Sequence, residues 1–373
     1  MKYIIFNLIV FLSTANDGFA HREKTYYLTG MVGADTVGLR IDEFGDACFA
    51  RYFTKSDLFD KVLEGEIQKD NRFILRGYEW DSLGQKAGAK EFVSIVEDTN
   101  HNWNGIWEKD GVAHTVFFKP INIDLLNHPY KNFIIKYFID PYASLRLLNI
   151  NVVYEDVFKL KNKIQIQKIK DSFSGVSFFQ VKENSNLFSQ TDSINFFLQY
   201  QFFSFINSKY SCVHANNIGE YHVNYHVKYV DRNFISYTYN VVSSCYGGPL
   251  DSSAYILNLS MQNAKRMMLE DIYWLSEKTK TELVEGEYEW YQYRYKEFGP
   301  KLYHLLCELY PKKFNKENSD EIKKWQFPVW YLTYKGLHLK GSTIRKSKKE
   351  MQAVIIPYKK LQAYLVKDFE LKK

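Results

Sequence analysis

The sequence predicts an α+β protein in which an antiparallel β meander, or barrel-like domain, precedes a domain of antiparallel sheet and packed helices. Three observations support this prediction. The chain has 29 Tyr and 28 Phe residues, and this aromatic content favours strands. Short apolar segments alternate with Gly, Asp and Asn turns as far as residue 120, which is typical of a meander. Beyond that point, strand patterns are mixed with helical apolar periods.

The first 20 residues have the pattern of a secretory signal peptide. Lys2 provides a positive start, Ile4 to Leu12 is apolar except for Asn7, and Gly18-Phe19-Ala20 resembles a small-residue cleavage site. The apolar run is too short to span a bilayer. We therefore expect residues 1–20 to be removed, the mature chain to be periplasmic or secreted, and no transmembrane segment to remain after cleavage.

Residues 21–120 are predicted to form the small β-meander domain. Asp110-Gly111 is a strong hairpin signal between the predicted strands Trp103–Glu108 and Val112–Phe118. The other predicted strands are Tyr26–Met31, Val37–Ile41, Cys48–Phe53, Leu63–Ile67, Phe73–Arg76 and Phe92–Val96. A meander of this kind usually curls into a barrel or half-barrel.

Residues 121–145 are predicted to be a connector, because Pro129 and Pro141 interrupt the segment. Within it, Phe133–Phe138 suits either a short strand or a short helix. Residues 146–369 are predicted to form the α+β domain.

Helices in that domain are predicted at Ile194–Asn207, from Leu269 to Leu275, and at Pro300–Tyr310, whose proline suits a first helical turn. Its predicted strands are Leu147–Tyr154, Lys163–Ile169, His222–Val230, Phe234–Val242, Ala254–Leu259, Trp330–Tyr334, Gly336–Lys340 and Val354–Ile356.

The four cysteines are Cys48, Cys212, Cys245 and Cys307. Disulfides persist outside the cytoplasm, but four cysteines allow three pairings and the sequence alone does not choose among them. We favour Cys212–Cys245, because each residue lies at the edge of a predicted strand in one hairpin region. Cys307 and Cys48 are compatible with buried thiols. No cysteine or histidine spacing is typical of a zinc site, so we expect no metal and no cofactor.

The formal net charge is +6 and is spread along the chain. This balance is compatible with an anionic polymer of the cell envelope as a partner, whereas the spread of the charge along the chain makes nucleic acid an unexpected one.

Two groups of polar residues are candidate sites. His222 and His226 lie four apart in a strand of strict alternation, and residues at that spacing are about 13 Å apart, too far to share one metal ion. A solvated strand face is the favoured interpretation.

Glu285, Glu287 and Glu289 could supply the paired carboxylates of a glycosidase, but a charged face beside buried aromatics is favoured. The Tyr-rich run that follows could alternatively be a platform on which sugars stack.

The basic run of Arg345, Lys346, Lys348 and Lys349 is the candidate ligand contact. It lies in a predicted loop and could bind an anionic envelope polymer. The alternative is a solvated hairpin end.

A series of short segments in the C-terminal part resembles a known family. The segments are Ser236–Asn240, Gly247-Gly248, Asp251–Leu259, Leu269–Ile272, Tyr331–Leu337 and Ile355–Leu361. Their order resembles the extracytoplasmic domain of unknown function that is shared by the lysozyme-sensing anti-sigma factor of Gram-positive bacteria and the accessory region of a peptidoglycan deacetylase. The resemblance covers residues 147 to 365 approximately.

The resemblance implies an α+β module that works outside the cytoplasm. This chain departs from the family between its last two strands, where a short basic span replaces a stretch rich in Tyr and Pro. It also shows neither the cytoplasmic helix and membrane span of the anti-sigma proteins nor the catalytic domain of the deacetylase.

No motif of a nucleophilic, nucleotide-binding or zinc-dependent enzyme occurs in the sequence. We therefore expect a non-enzymatic exported binding protein whose ligand is an envelope glycan or a protein. The alternatives are a lysozyme-binding inhibitor or sensor-like module, which the resemblance implies, and an envelope hydrolase whose site is assembled from distant residues.

Overall fold

The computed structural model describes residues 24–80, 86–125, 127–160, 164–182, 191–214, 217–245, 248–276, 282–314, 319–342 and 353–366. It confirms the α+β class, with a closed antiparallel barrel followed by sheets and helices.

Eight antiparallel strands form the barrel, and each pairs with the next along the chain. They are β1 (Lys24–Val32), β2 (Asp35–Phe44), β3 (Ala47–Thr54), β4 (Lys61–Ile67), β5 (Arg72–Trp80), β6 (Lys86–Glu97), β7 (Trp103–Lys109) and β8 (Val112–Pro120). The barrel closes because β1 also pairs with β8, with Gly30 opposite Phe118. The hairpin predicted at Asp110-Gly111 is confirmed, and both residues have positive φ.

Apolar side chains fill the barrel interior, as is usual for eight strands. Trp103 and Trp107 are almost fully buried there, together with Leu39, Ile41 and Cys48. Gly105 permits close packing of β7 on β6, because a Cβ at this position would lie 1.8 Å from the carbonyl oxygen of Ser94.

Two short helices, α1 (Lys131–Tyr137) and α2 (Pro141–Leu147), follow the barrel. The helical alternative for Phe133–Phe138 is thus the observed one. The strand predicted from Leu147 is wrong at its start, because α2 continues to Leu147. The Asp140 carboxylate accepts hydrogen bonds from the amides of Tyr142 and Ala143, and Pro141 occupies the first turn, so this segment is capped as a helix.

A buried ion pair joins the barrel to these helices. Arg146 in α2 donates to Asp60, which precedes β4, and both side chains are 1% exposed. The Tyr142 hydroxyl donates to the same carboxylate at 2.7 Å. The guanidinium also donates to Asn207 Oδ1 at 2.6 Å and to Ser211 Oγ at 2.8 Å. Both terminal nitrogens of Arg146 therefore have acceptors, whereas its buried Nε has no hydrogen-bond partner among the described residues.

A three-stranded sheet is next, packed on one long helix. Its strands are β9 (Val152–Lys159), β10 (Gln165–Asp171) and β11 (Ser177–Lys182), and the helix is α3 (Thr191–Ser211). The predicted helix at Ile194–Asn207 is confirmed and extends by several residues at each end. Ile194, Leu198 and Phe202 are buried on its inner face.

After the short pair β12 (Val213–His214) and β13 (Asn217–Ile218), a second sheet contains β14 (Glu220–Val230), β15 (Phe234–Ser244) and β16 (Asp251–Ser260). The β14–β15 hairpin contributes to two apolar clusters. Ile235 packs with α3, whereas Phe234 packs with the C-terminal helices and strands.

The remaining elements are α4 (Tyr288–Tyr293), α5 (Gly299–Leu309), α6 (Ser319–Trp325), β17 (Val329–Thr333), β18 (Gly336–Lys340), β19 (Ala353–Ile356) and α7 (Tyr358–Leu361). A π turn at Arg294–Phe298 joins α4 to α5. Strands β17, β18 and β19 form a third antiparallel sheet, in that order.

The helix predicted to begin at Leu269 is wrong beyond its first turn. Only a 3-10 turn forms, at Leu269–Asp271. The following backbone pairs with the C-terminal segment instead, because the amide of Trp274 donates to the Tyr364 carbonyl and Tyr273 bridges to Leu365.

Candidate functional site

A cleft of about 970 Å³ lies where β16 meets the β17–β19 sheet. One wall is formed by β16 and the chain after it, and the other by β17 and β18. Residues before and within α4 close one end. The residues that line the cleft are Ala254, Tyr255, Ile256, Asn258, Arg266, Met267, Met268, Leu269, Glu285, Trp290, Arg294, Phe327, Pro328, Val329, Trp330, Tyr331, His338, Lys340 and Ala353.

Buried hydrogen bonds fix the two sheets against each other at the cleft floor. The Ser236 hydroxyl donates to Asn258 Oδ1 at 2.5 Å, and Asn258 Nδ2 donates to the Trp330 carbonyl at 3.1 Å. The Leu332 amide donates to Ser236 Oγ at 3.2 Å. Because Ser236 and Asn258 are both buried, these bonds are shielded from water and hold β17 beside β16.

The face of the β17–β19 sheet that lines the cleft follows from strand alternation. Leu332, Leu337 and Leu339 point to the core and are fully buried. Their neighbours Tyr331 and His338 are cross-strand partners and point the other way. The two rings stack, with centroids 4.2 Å apart and planes inclined by 13°.

Positive charge is concentrated around this stack. Lys340 lies two residues beyond His338 on the same face of β18, and Lys228 Nζ lies 5.7 Å from the centre of the Tyr331 ring. Burial lowers the pKa of His338, and the charges of Lys228 and Lys340 lower it further. His338 Nδ1 is buried and has no hydrogen-bond partner in the described part of the chain.

Phe327 and Trp290 line the end of the cleft near α4, and two further aromatic rings pack on Phe327 beside it. The Phe327 ring contacts Trp290, Tyr291 and Tyr295 at centroid distances of 5.3, 5.7 and 5.4 Å. Tyr291 and Tyr295 are exposed, whereas Trp290 is buried and its Nε1 has no partner among the described residues. The π turn that carries Tyr295 is a feature often found at functional sites.

A second buried ion pair supports this aromatic group. Arg294 Nε lies 2.5 Å from Glu270 Oε1, with both side chains almost fully buried. The guanidinium packs on Phe298 at 4.1 Å and on Trp290 at 5.2 Å. Burial raises the pKa of Glu270, and the Arg294 charge opposes that increase. The pair therefore positions Trp290 from beneath the cleft.

The polar residues that are candidate sites in the sequence lie in different parts of this region. His222 and His226 are exposed on the polar face of β14, as the alternation predicted. His226 and Ile256 lie on the same sheet face, because each is the cross-strand partner of Thr238 on β15. Ile256 lines the cleft. Glu285 also lines the cleft and lies 3.5 Å from Arg266.

Glu287 and Glu289 are exposed at the start of α4. The Tyr-rich run divides as an amphipathic helix does. Trp290 and Tyr293 are buried, while Tyr288, Tyr291 and Tyr295 are exposed.

The basic run of Arg345, Lys346, Lys348 and Lys349 lies outside the described residues. Its role as a ligand contact stays a prediction.

Cys212 and Cys245, the favoured pair, form a disulfide with Cα atoms 4.8 Å apart, while Cys48 and Cys307 are buried free thiols.

Clusters of metal-ligating side chains and membrane-spanning helices are both absent from the described residues. No group of three or more His, Cys, Asp or Glu side chains within those ranges is placed to hold a metal ion. Nor does any helix in the described part of the chain have the length and apolarity needed to cross a lipid bilayer.

The sequence did not single out the Tyr331–His338 stack or the lysines beside it. A signal for it was present, because the hairpin of Trp330–Tyr334 and Gly336–Lys340 was predicted. A tight turn between those strands places Tyr331 opposite His338.

Comparison with known proteins gives similarity to solved structures alone. No family model and no curated protein matches the sequence. Two crystal structures are similar to this chain: a member of the DUF3298 family from Bacteroides fragilis and a DUF3298 family protein from Pseudomonas aeruginosa. Each is 13% identical with a TM-score of 0.29, and the alignments cover 58% of this chain and 94% and 92% of those chains. At this TM-score the similarity supports no conclusion about function.

Proposed function

We propose that the protein is an exported binding protein and that the cleft between β16 and the β17–β19 sheet binds a glycan of the cell envelope. The observation that carries the proposal is the lining of the cleft. It combines aromatic rings, among them Tyr255, Phe327 and Trp330, with a few polar groups. Sugar rings have flat apolar faces that pack on aromatic side chains and polar edges that form hydrogen bonds.

The size of the cleft favours a glycan over a folded protein. Its volume of about 970 Å³ is within the range of roughly 300–1,000 Å³ that is typical of small-molecule sites, and it can hold a few sugar rings. Its charge also disfavours lysozyme, which is basic. Lys228 and Lys340 would repel such a partner and slow its association.

Export is supported by two independent observations. Residues 1–20 have the signal-peptide pattern, and Cys212 is disulfide-bonded to Cys245. Disulfides of this kind persist in oxidising compartments such as the periplasm or the cell exterior. The resemblance of residues 147–365 to a domain found in a lysozyme-sensing anti-sigma factor and a peptidoglycan deacetylase favours a partner in the cell wall.

Replacement of a cleft aromatic tests the glycan site. We expect Tyr255→Ala and Tyr331→Ala each to weaken binding of soluble peptidoglycan oligosaccharides by about tenfold, as for an aromatic hot spot. The measurement is isothermal titration calorimetry with the chain that begins at residue 21. Tyr154→Ala is the matched control, because Tyr154 is 55% exposed on β9 and Tyr255 is 44% exposed. The control variant should bind like the wild type.

Two other outcomes would overturn the proposal. One is a wild-type protein that is retained by neither intact cell wall nor oligosaccharides in a pull-down. The other is retention by immobilised lysozyme without retention by the wall, which would assign a protein ligand instead.

A further inference from the structure

We propose that Lys228, His338 and Lys340 form an anion subsite, in which His338 and Lys340 line the cleft and Lys228 lies beside it near the Tyr331 ring, so that the preferred glycan carries a carboxylate or phosphate group. This inference rests on the proposed glycan binding and names the chemical class of the ligand. The subsite is defined by these three residues.

The fold brings the three cations together from two strands of different sheets. His338 and Lys340 are two residues apart on β18 and therefore share one face. Lys228 comes from β14, at a bulge where the register with β15 shifts between Val227 and Tyr229. Bulges re-aim side chains, and this one leaves Lys228 over the Tyr331 ring, which itself stacks on His338.

Other charged groups of the cleft are already neutralised. Arg266 is paired with Glu285, and Arg294 with Glu270. In contrast, neither Lys228 nor Lys340 forms an ion pair with an acidic side chain in the ranges that the structure describes. The uncompensated charge of the cleft is therefore located at the proposed subsite, beside aromatic rings that can hold a sugar.

An anion at this position would be linked to the protonation of His338. The charged groups that face its ring are Lys228 from β14 and Lys340 from its own strand, with the Tyr331 phenol on β17. Both lysines disfavour the imidazolium, and a bound anion would offset them and raise the pKa of His338. Because the bound anion raises the pKa of His338, the affinity for an acidic glycan rises as the pH falls through the pKa of His338 in the complex. The affinity levels off below the pKa of His338 in the free protein.

Three oligosaccharides of equal length test the subsite: a neutral N-acetylglucosamine oligomer, one that contains N-acetylmuramic acid, and one that carries a phosphate monoester. We expect at least one acidic oligomer to bind about tenfold more tightly than the neutral one in calorimetry at pH 6 and low salt. The preferred oligomer identifies carboxylate or phosphate as the natural group.

Variants then locate the preference. Lys228→Gln and Lys340→Gln should each remove most of the tenfold advantage that the acidic oligomer has over the neutral one. Lys159→Gln is the matched control, because Lys159 is an exposed lysine on β9. In NMR titrations, the oligomer with N-acetylmuramic acid should raise the pKa of His338, and His338→Gln should flatten the pH dependence of the affinity for that oligomer.

The outcomes separate this inference from the proposed function. Equal affinity for all three oligomers, or a preference that survives both lysine substitutions, would overturn the anion subsite while glycan binding stands. Failure of every oligomer to bind would overturn the proposed function and the subsite together.

Discussion

Arg146→Ala is expected to lower the free energy of unfolding by about 3–5 kcal/mol, the usual cost of removing one partner of a buried ion pair. The substitution leaves the Asp60 carboxylate buried at 1% exposure with the Tyr142 hydroxyl as its remaining donor. It also removes the donor that Asn207 and Ser211 share, so the effect includes lost packing between α2, α3 and the barrel. Urea denaturation followed by circular dichroism measures the change.

Arg72→Ala is the matched control for this prediction. Arg72, the first residue of β5, pairs with Asp70 in the preceding turn, and the two side chains are 40% and 57% exposed. Exposed pairs contribute about 0–1 kcal/mol, so this variant should unfold at nearly the wild-type urea concentration. If the two arginine variants lose similar stability, the buried pair does not join the barrel to α2 and α3 in the way described.

Loss of the disulfide is the second large effect that we expect. A double variant, Cys212→Ser with Cys245→Ser, should be about 3–4 kcal/mol less stable, because the bond closes a loop with a sequence separation of 33 residues. Cys212 directly follows α3 and Cys245 directly follows β15, so the bond ties the end of the long helix to the end of the central strand.

A reductant provides the control for the disulfide. It should destabilise the wild type by the same amount as the double substitution and should not affect the double variant, because Cys48 and Cys307 are already free thiols. Unchanged stability of the wild type after complete reduction would contradict the prediction. A stability that depends on this bond would also support folding in an oxidising compartment.

Much of the fold could be predicted from local patterns. The alternation of His222–Val230, the apolar period of Ile194–Asn207 and the Asp110-Gly111 turn each specified an element that the structure contains. These signals are local, because strand faces, helix faces and tight turns are determined by neighbouring residues.

Besides the helix predicted from Leu269, one strand start was predicted wrongly and the closure of the barrel was not specified, each for a physical reason. The strand start at Leu147 was wrong because the Asp140-Pro141 cap extends a helix through that residue. The sequence did not decide between a closed barrel and a half-barrel. Closure depends on the pairing of β1 with β8, which lie at opposite ends of the domain's sequence. Local periodicity contains no information about such distant pairs.

The cleft was not predicted, because it exists only where two sheets meet. Asn258 and Trp330 are far apart in sequence, and one hydrogen bond between them fixes the cleft floor. The Tyr-rich run agrees with the favoured interpretation of a charged face beside buried aromatics, since Glu287 and Glu289 are exposed while Trp290 and Tyr293 are buried. Trp290 also lines the cleft beside Phe327, and the sugar platform stays a prediction.

Hydrogen–deuterium exchange with soluble peptidoglycan oligosaccharides shows directly whether the cleft binds glycan. The chain from residue 21 should show slower exchange on ligand addition in three segments: 254–258, 327–331 and 338–340. The barrel strands should exchange at unchanged rates. Protection confined to the barrel, or binding without protection in any of the three segments, would show that the cleft is not the glycan site.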